Sequence, residues 1–163
     1  MPRMIDPSDA LAIYQRQLNE GAIPLQTCVH TPDLYVAVDH PSGRPRYSYM
    51  RLRGKTLVAL AMFAQVDPVE GIPCFQIGIA VPNAYRRKGL GYSTVAASIR
   101  EMKEGFARTS LKDFFLEAIV NVANEPSNRL ASRVFAVVPK PITDEPSGES
   151  ALQYLVRASA VAL

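Results

Sequence analysis

The chain has 163 residues, 48% hydrophobic and 20% charged, with 18 basic and 15 acidic side chains and a net charge of +3. This length suits one domain, residues 1–163, that buries a core without disulfides or a structural metal, and the composition is that of a folded globule. The longest apolar run is the eight residues 57–64, well short of the ~20 that cross a bilayer, and the charge is too mild for a dedicated nucleic-acid binder.

The N-terminal residues include Pro2, Asp6, Pro7 and Asp9, so no secretory leader is expected. In chain order, Ser8 caps a first helix with Leu11, Tyr14 and Leu18 on one face, ending at Gly21. Residues 22–32 read as loop, and residues 34–39 as a short strand followed by a Pro- and Gly-rich turn at 40–45. Residues 46–52 and 56–66 form a hairpin around Arg53-Gly54-Lys55. A second loop, 67–73, carries Asp67 and Glu70. Residues 74–81 alternate as a strand, with Phe75, Ile77, Ile79 and Val81 on one face and the small Gly78 and Ala80 on the other. The period then changes. Val95, Ile99, Met102 and Phe106 mark one face of a helix over 89–107. Residues 114–122 alternate again, and Pro126 opens a short helix. Residues 134–142 and 151–157 read as closing strands joined by the loop 143–150. The order is that of a mixed α/β domain with antiparallel beginnings and one strand–helix–strand crossover. The two cysteines, Cys28 and Cys74, are far apart and in no metal-binding spacing, which fits a reducing compartment such as the cytoplasm.

The segment that carries chemistry runs from Ile79 to Tyr92. A strand ends, a basic turn with Gly89 and Gly91 follows, and an amphipathic helix begins. A glycine backbone lets an anion approach closely. The first N–H groups of a helix are unpaired, and its dipole adds about half a positive charge. Arg86, Arg87 and Lys88 add more. The arrangement suits a pyrophosphate; the plainer reading is a solvated basic turn.

Arg86-x-x-Gly89-x-Gly91 after a strand resembles the acyl-CoA signature of the GNAT superfamily of N-acetyltransferases. Its continuation through Leu90, Tyr92, Ser93, Thr94, Val95 and Ala96 is similar to the branch containing the ribosomal-protein N-terminal acetyltransferases. Asn124-Glu125-Pro126-Ser127 resembles that branch's Asn-x-x-Ser segment. The agreement in strand order spans 33–157, and the first 30 residues match loosely. The resemblance implies an α+β domain whose central mixed sheet of six to seven strands is flanked by helices. It implies acetyl-CoA as cosubstrate, no metal, and transfer of the acetyl group to a primary amine by direct attack on the thioester. Backbone groups of Ile79 and Val81 would pair with pantetheine. Amides from Arg87 to Tyr92 would hold the pyrophosphate, and Asn124 and Ser127 would bind or order the pantetheine arm. A backbone N–H near Val81 would polarise the carbonyl. The acceptor would be a small-molecule amine or a protein N-terminus, without nucleic acid or membrane. Homodimerisation through the closing strands is compatible with the resemblance.

The sequence departs from that pattern in three places. Gln76 stands where many relatives carry a glutamate base, and an amide accepts no proton at neutral pH. Ala131 stands where many carry a tyrosine near the leaving thiolate. Val134-Phe135-Ala136 replaces the usual Gly-Phe. Glu117 is the candidate base, weighed against a strand carboxylate bonded to a neighbour. Asp67, Glu70 and a water chain are further options, and Tyr154 could reach the thiolate from a closing strand, weighed against a core tyrosine. A lysine amine with pKa about 10.4 is neutral about once in a thousand near pH 7.4, and an α-amine with pKa about 7.7–8.0 about a quarter of the time. That difference, roughly 3 kcal/mol, favours an α-amine acceptor for a site without a strong base. The rival reading is a catalytically weak acyl-CoA-binding regulatory module.

Other signals fall away. Gly54-Lys55-Thr56 lacks the earlier glycine of a P-loop and leads into a strand. His30 and His40 have no partner at ligand spacing. Cys74 has no base nearby in sequence and reads as a small buried hydrophobe. The basic cluster at 86–88 has no interleaved aromatics for nucleic acid.

Overall fold

Residues 7–160 are described by a computed structural model; residues 1–6, which hold part of the expected non-leader segment, and 161–163 lie outside the described residues. Helix α1 (Ser8–Asn19) comes first, then β1 (Gln26–Thr27), β2 (Leu34–Asp39), β3 (Arg46–Arg53), β4 (Thr56–Val69) and β5 (Ile72–Ala80). Helix α2 (Leu90–Ala107) crosses to β6 (Asp113–Asn121), and α3 (Glu125–Phe135) leads to β7 (Lys140–Thr143) and β8 (Ser150–Ser159). The eight strands form one sheet in the order β1-β2-β3-β4-β5-β6-β8-β7. Every neighbouring pair is antiparallel except β5–β6. A parallel neighbour needs a crossover, and α2 supplies it.

Strand alternation divides the side chains between two faces. One face carries Tyr49, Ala61, Phe63, Phe75, Phe114, Leu116 and Tyr154, and it packs against Val95, Met102 and Phe106 of α2 and Ala131 and Phe135 of α3. At its centre Phe114 meets Phe106 with ring centroids 5.1 Å apart and Phe75 at 6.1 Å, both edge to face. The other face carries Met50, Leu57 and Leu60, against which Leu11, Tyr14 and Leu18 of α1 pack. The Tyr14 hydroxyl hydrogen-bonds Ser48 Oγ at 2.9 Å. Gly78 allows α1 to seat this closely, since a Cβ there would lie 2.9 Å from Pro7 Cγ.

The helices and hairpin follow the sequence reading, with four corrections. The expected loop 67–73 is strand almost throughout: β4 runs to Val69, β5 starts at Ile72, and only Glu70 and Gly71 turn, with φ of +52° and +76°. A register shift between Val66 and Val69 absorbs Pro68, so a proline that reads as a breaker sits in an irregular strand end. The expected strand 134–142 begins as helix. Val134 and Phe135 complete α3, Ala136 ends it in a left-handed conformation, and β7 holds only four residues. Ala131 and Phe135 lie four apart on the buried stripe, which favours helix over alternation. The sheet also has one strand more than the expected upper count of seven, because two residues of the 22–32 segment pair with β2 as β1. Helix α1 begins at Ser8 itself, with Pro7 in the capping position.

Among the described residues, no helix is long and apolar enough to cross a membrane. Phe114 is fully buried in the aromatic cluster, so Phe114→Ala should lower unfolding free energy by about 3–5 kcal/mol. Urea titration followed by circular dichroism measures this; a loss under ~1 kcal/mol would mean that the cluster is not the centre of the core.

Candidate active site

The parallel pair β5–β6 is registered at Cys74↔Phe115, Phe75↔Leu116 and Gln76↔Glu117, and no further. Both strands continue. β5 stays paired with β4 as far as Ala80 opposite Leu60, and β6 stays paired with β8 as far as Asn121 opposite Ala151. The sheet therefore forks beyond Gln76 and Glu117. The inner edges of residues 77–80 and 118–121 have no strand partner. Backbone donors and acceptors require partners, so such edges can receive an extended ligand.

One side of the fork leads directly into the basic turn. Arg86 Nε donates to the Val81 carbonyl at 2.8 Å, and the Tyr85 N–H donates to the Pro82 carbonyl at 2.9 Å, which winds the turn back on itself. Arg86 is thus a strut of the turn. Arg87 and Gly89 both have left-handed backbones, with φ of +63° and +74°. Gly89 is the residue before the first turn of α2 and provides no side-chain cap. The first helical bond runs from the Ser93 N–H to the Gly89 carbonyl at 3.1 Å. The N–H groups of Leu90, Gly91 and Tyr92 precede it and have no acceptor within the helix. No acidic residue lies in that first turn, so its field is positive.

The two glycines meet different requirements. A Cβ on Gly89 would enter open space, so its need is the positive φ. A Cβ on Gly91 would lie 3.4 Å from Leu130 Cδ2, 3.8 Å from Val81 Cγ2 and 3.9 Å from Ile79 Cγ2. These are ordinary contact distances, so a methyl group would fit at Gly91, whereas a larger side chain would press on Leu130, Val81 and Ile79, which all border this point of α2. Lys88 Nζ lies 5.8 Å from the centroid of the Tyr85 ring, and so does Arg53 Cζ from the β3–β4 turn. Arg133 on α3 stacks on Tyr92, its Cζ 3.7 Å from the ring centroid. Sequence reasoning missed Arg133 because its segment lay beside the expected strand; the four-residue step from Ala131 to Phe135 was the available signal.

Across the fork, Asn124 caps α3. Its Oδ1 accepts from the Ser127 N–H at 3.2 Å. Asn128 Nδ2 donates to the carbonyls of Asn121 and Asn124, both at 3.0 Å, so the end of β6 and the start of α3 are tied. The Tyr154 hydroxyl, 1% exposed at the residue level, donates to Asn128 Oδ1 at 3.0 Å. Tyr154 is thus a core residue that braces α3. Ser127 is half-buried on the first turn of α3.

Glu117 sits at the root of the fork, on the face opposite α2 and α3, because its neighbours Leu116 and Ala118 face those helices. Its Oε1 accepts from Gln76 Nε2 at 3.2 Å and its Oε2 from Gln153 Nε2 at 2.7 Å. Asp67 and Glu70 lie at the other end of β5, beside its turn with β4, and Asp67 pairs with Arg44 at 2.7 Å. Five residues of β5, Ile72 to Gln76, separate the turn at Glu70 from Ile77, roughly 17 Å at about 3.3 Å per residue, so Glu70 does not flank the fork. His30 pairs with Glu104 of α2, and the Val29 and His30 N–H groups donate to Glu101 at 3.1 and 2.7 Å.

No protein-family model matches the chain, and no curated protein matches it. Solved structures do. The ribosomal L7/L12 α-N-protein acetyltransferase in complex with coenzyme A aligns at 14% identity over 71% of this chain and 63% of that one, with a TM-score of 0.54. An acetyl transferase from Salmonella typhimurium that modifies the N-terminal serine of ribosomal protein L7/L12 aligns at 15% identity over 70% and 64%, with a TM-score of 0.50. Spermidine N-acetyltransferase from Vibrio cholerae aligns at 15% over 72% and 66%, also at 0.50. The chain thus spans somewhat under two thirds of the length of these structures. What is shared at such identity is architecture. The chain has the GNAT N-acetyltransferase fold, a mixed α+β sheet with helices on both faces.

Gly89→Ala should cost about 1–2 kcal/mol through its positive φ alone. Gly91→Val should cost about 1–3 kcal/mol by forcing α2 from Leu130. Thermal melts of the two variants check both; a silent Gly91→Val would mean that α2 and α3 can separate there without penalty. The thiols supply a pH-dependent check. Burial, with the charge of Glu101 adding, pushes Cys28 up to about 12, and burial, with Glu117 adding, pushes Cys74 up to about 11. The unfolded thiols ionise from about pH 9 and the folded ones only above that, so these groups make stability fall as pH rises from about 9 to about 12. At pH 8 the native protein should react slowly with a thiol-disulfide reagent and the urea-unfolded chain quickly. Rapid labelling of the native state would contradict this burial.

Proposed function

We propose that the chain is an acetyl-CoA-dependent N-acetyltransferase that moves an acetyl group to a primary amine. The observation that carries this reading is the fork between β5 and β6 beside a helix whose first N–H groups point outward without a carboxylate in its first turn. A pyrophosphate would be held by the amides of Arg87, Lys88, Gly89, Leu90, Gly91 and Tyr92, with the Arg87 and Lys88 charges adding to the field. Arg86 would contribute by keeping the turn wound. The pantetheine arm would lie along the fork edge at Ile79 and reach Val81, whose carbonyl is held by Arg86, with Asn124 and Ser127 ordering it from across the fork. The overlap in fold with a coenzyme A complex supports the same cosubstrate class.

The chemistry follows from that placement. The amine nitrogen attacks the thioester carbonyl, and a backbone N–H near Val81 stabilises the oxyanion. Collapse forms the N–C bond and breaks the C–S bond. The amine proton passes to Glu117, directly or through water, and the CoA thiolate leaves and takes a proton from solvent. No metal has a role. The similar structures include one enzyme named for a protein N-terminus and one for spermidine, which supports an amine acceptor of either kind. With a single carboxylate in place, an α-amine fits better than a lysine side chain, by roughly the 3 kcal/mol that separates their neutral fractions.

Calorimetric titration of acetyl-CoA should give micromolar binding to the native protein and none to Gly89→Asp, which sets a negative charge in the turn. Thiol release with α-amine peptides should then exceed that with ε-amine peptides. No binding by the native protein would reduce the basic segment to a turn. Binding with no thiol release from any amine would favour the acyl-CoA-binding regulatory module.

A further inference from the structure

Glu117 is the last residue of β6 with a partner on β5, and the amides that hold it come from the strands on either side. Their placements differ. Gln76 is its in-register neighbour on β5. On β8 the register partner of Glu117 is Leu155, and Gln153 stands opposite Ile119, two residues nearer the open end of the fork. The Gln153 bond is also the shorter, 2.7 Å against 3.2 Å. The carboxylate is thus drawn diagonally toward the fork mouth by an amide that reaches back from it. Only the nitrogen of an amide can donate, so both glutamines have one orientation in this row. Neither glutamine's side-chain oxygen is bonded to another described residue. The row therefore offers acceptors to an incoming N–H group, and an ionised carboxylate with two bonds made still has lone pairs to spare.

We propose that Gln153 is a positioning residue that orients Glu117 toward the acceptor amine. This rests on the acetyltransferase reading with Glu117 as base. As the amine nitrogen forms its bond to the acetyl carbon and the C–S bond breaks, the proton leaving nitrogen goes to the Glu117 oxygen that Gln153 aims. Gln153 itself neither gains nor loses a proton. It acts only through Glu117, so its effect should exist only while Glu117 is present.

The test is a double-mutant cycle on thiol release from acetyl-CoA, with a panel of short peptides bearing free α-amines as acceptors. Gln153→Leu should lower kcat about 10- to 100-fold, the loss of one charge-assisted hydrogen bond. Calorimetric affinity for acetyl-CoA should stay within about twofold, because that substrate binds elsewhere along the fork. Glu117→Gln should lower kcat about 100-fold or more. Adding Gln153→Leu to Glu117→Gln should then cost nothing further. Gln153→Met, which keeps length without a donor, replaces Gln153→Leu if that variant does not fold. Equal losses with and without Glu117, or full kcat in both Gln153 variants beside an impaired Glu117→Gln, would overturn the proposal while leaving the base assignment intact. Full kcat in Glu117→Gln would remove that assignment and this proposal together, and so would absence of thiol release from the native protein with every peptide.

Discussion

The end of hydrogen bonding between β5 and β6 is the constraint on which the rest of the architecture turns. A parallel pair inside an otherwise antiparallel sheet needs a crossover, and α2 is that crossover. Its N-terminus must therefore emerge beside the end of β5, at the mouth of the fork. The outer partners hold the two arms apart: β4 follows β5 to Ala80, and β8 follows β6 to Asn121. The opening is thus supported by two complete ladders rather than by loops, and a site on such elements loses little entropy when a ligand enters.

Basic side chains gather at the start of α2: Lys88 and Arg53 approach the Tyr85 ring, and Arg133 rests on Tyr92 in the first turn. Toward α1 lies the row of Gln76, Glu117 and Gln153. On the proposed reading, an anionic cosubstrate and a nucleophile that must shed a proton have opposite electrostatic needs, and the fork is where the two faces communicate. Gly78 belongs to the same arrangement. Its missing side chain lets Pro7 seat against β5 just beyond Gln76, so the start of α1 borders the row that holds Glu117.

Much of this is written in local sequence. Alternation at Phe75, Ile77 and Ile79 and the helical spacing of Val95, Ile99, Met102 and Phe106 place β5 and α2, and the glycines between them mark the junction. What escaped was of two kinds. Proline punctuation misled where tertiary structure absorbed it, as at Pro68 in the register shift of β4. Contacts between distant elements left no local trace. Gln153 is 36 residues from Glu117, and nothing in the alternation of β8 says that its amide reaches diagonally rather than straight across. Arg133 and Tyr92 meet across the contact of two helices that lie far apart in sequence.

On the proposed reading, the substitution of an amide at position 76 changes what the site asks of its acceptor. A carboxylate on the neighbouring strand lies one strand spacing away, about 4.8 Å, and it accepts one proton per turnover. An ammonium must lose one proton before attack and a second after it; an amine that arrives neutral loses only the second. An α-amine meets that condition in about a quarter of encounters near neutral pH, a lysine side chain in about one in a thousand. A single oriented base, with its neighbours Gln76 and Gln153 serving as donors, is sufficient for the first kind of nucleophile. For the second kind, the row has no residue for the earlier proton.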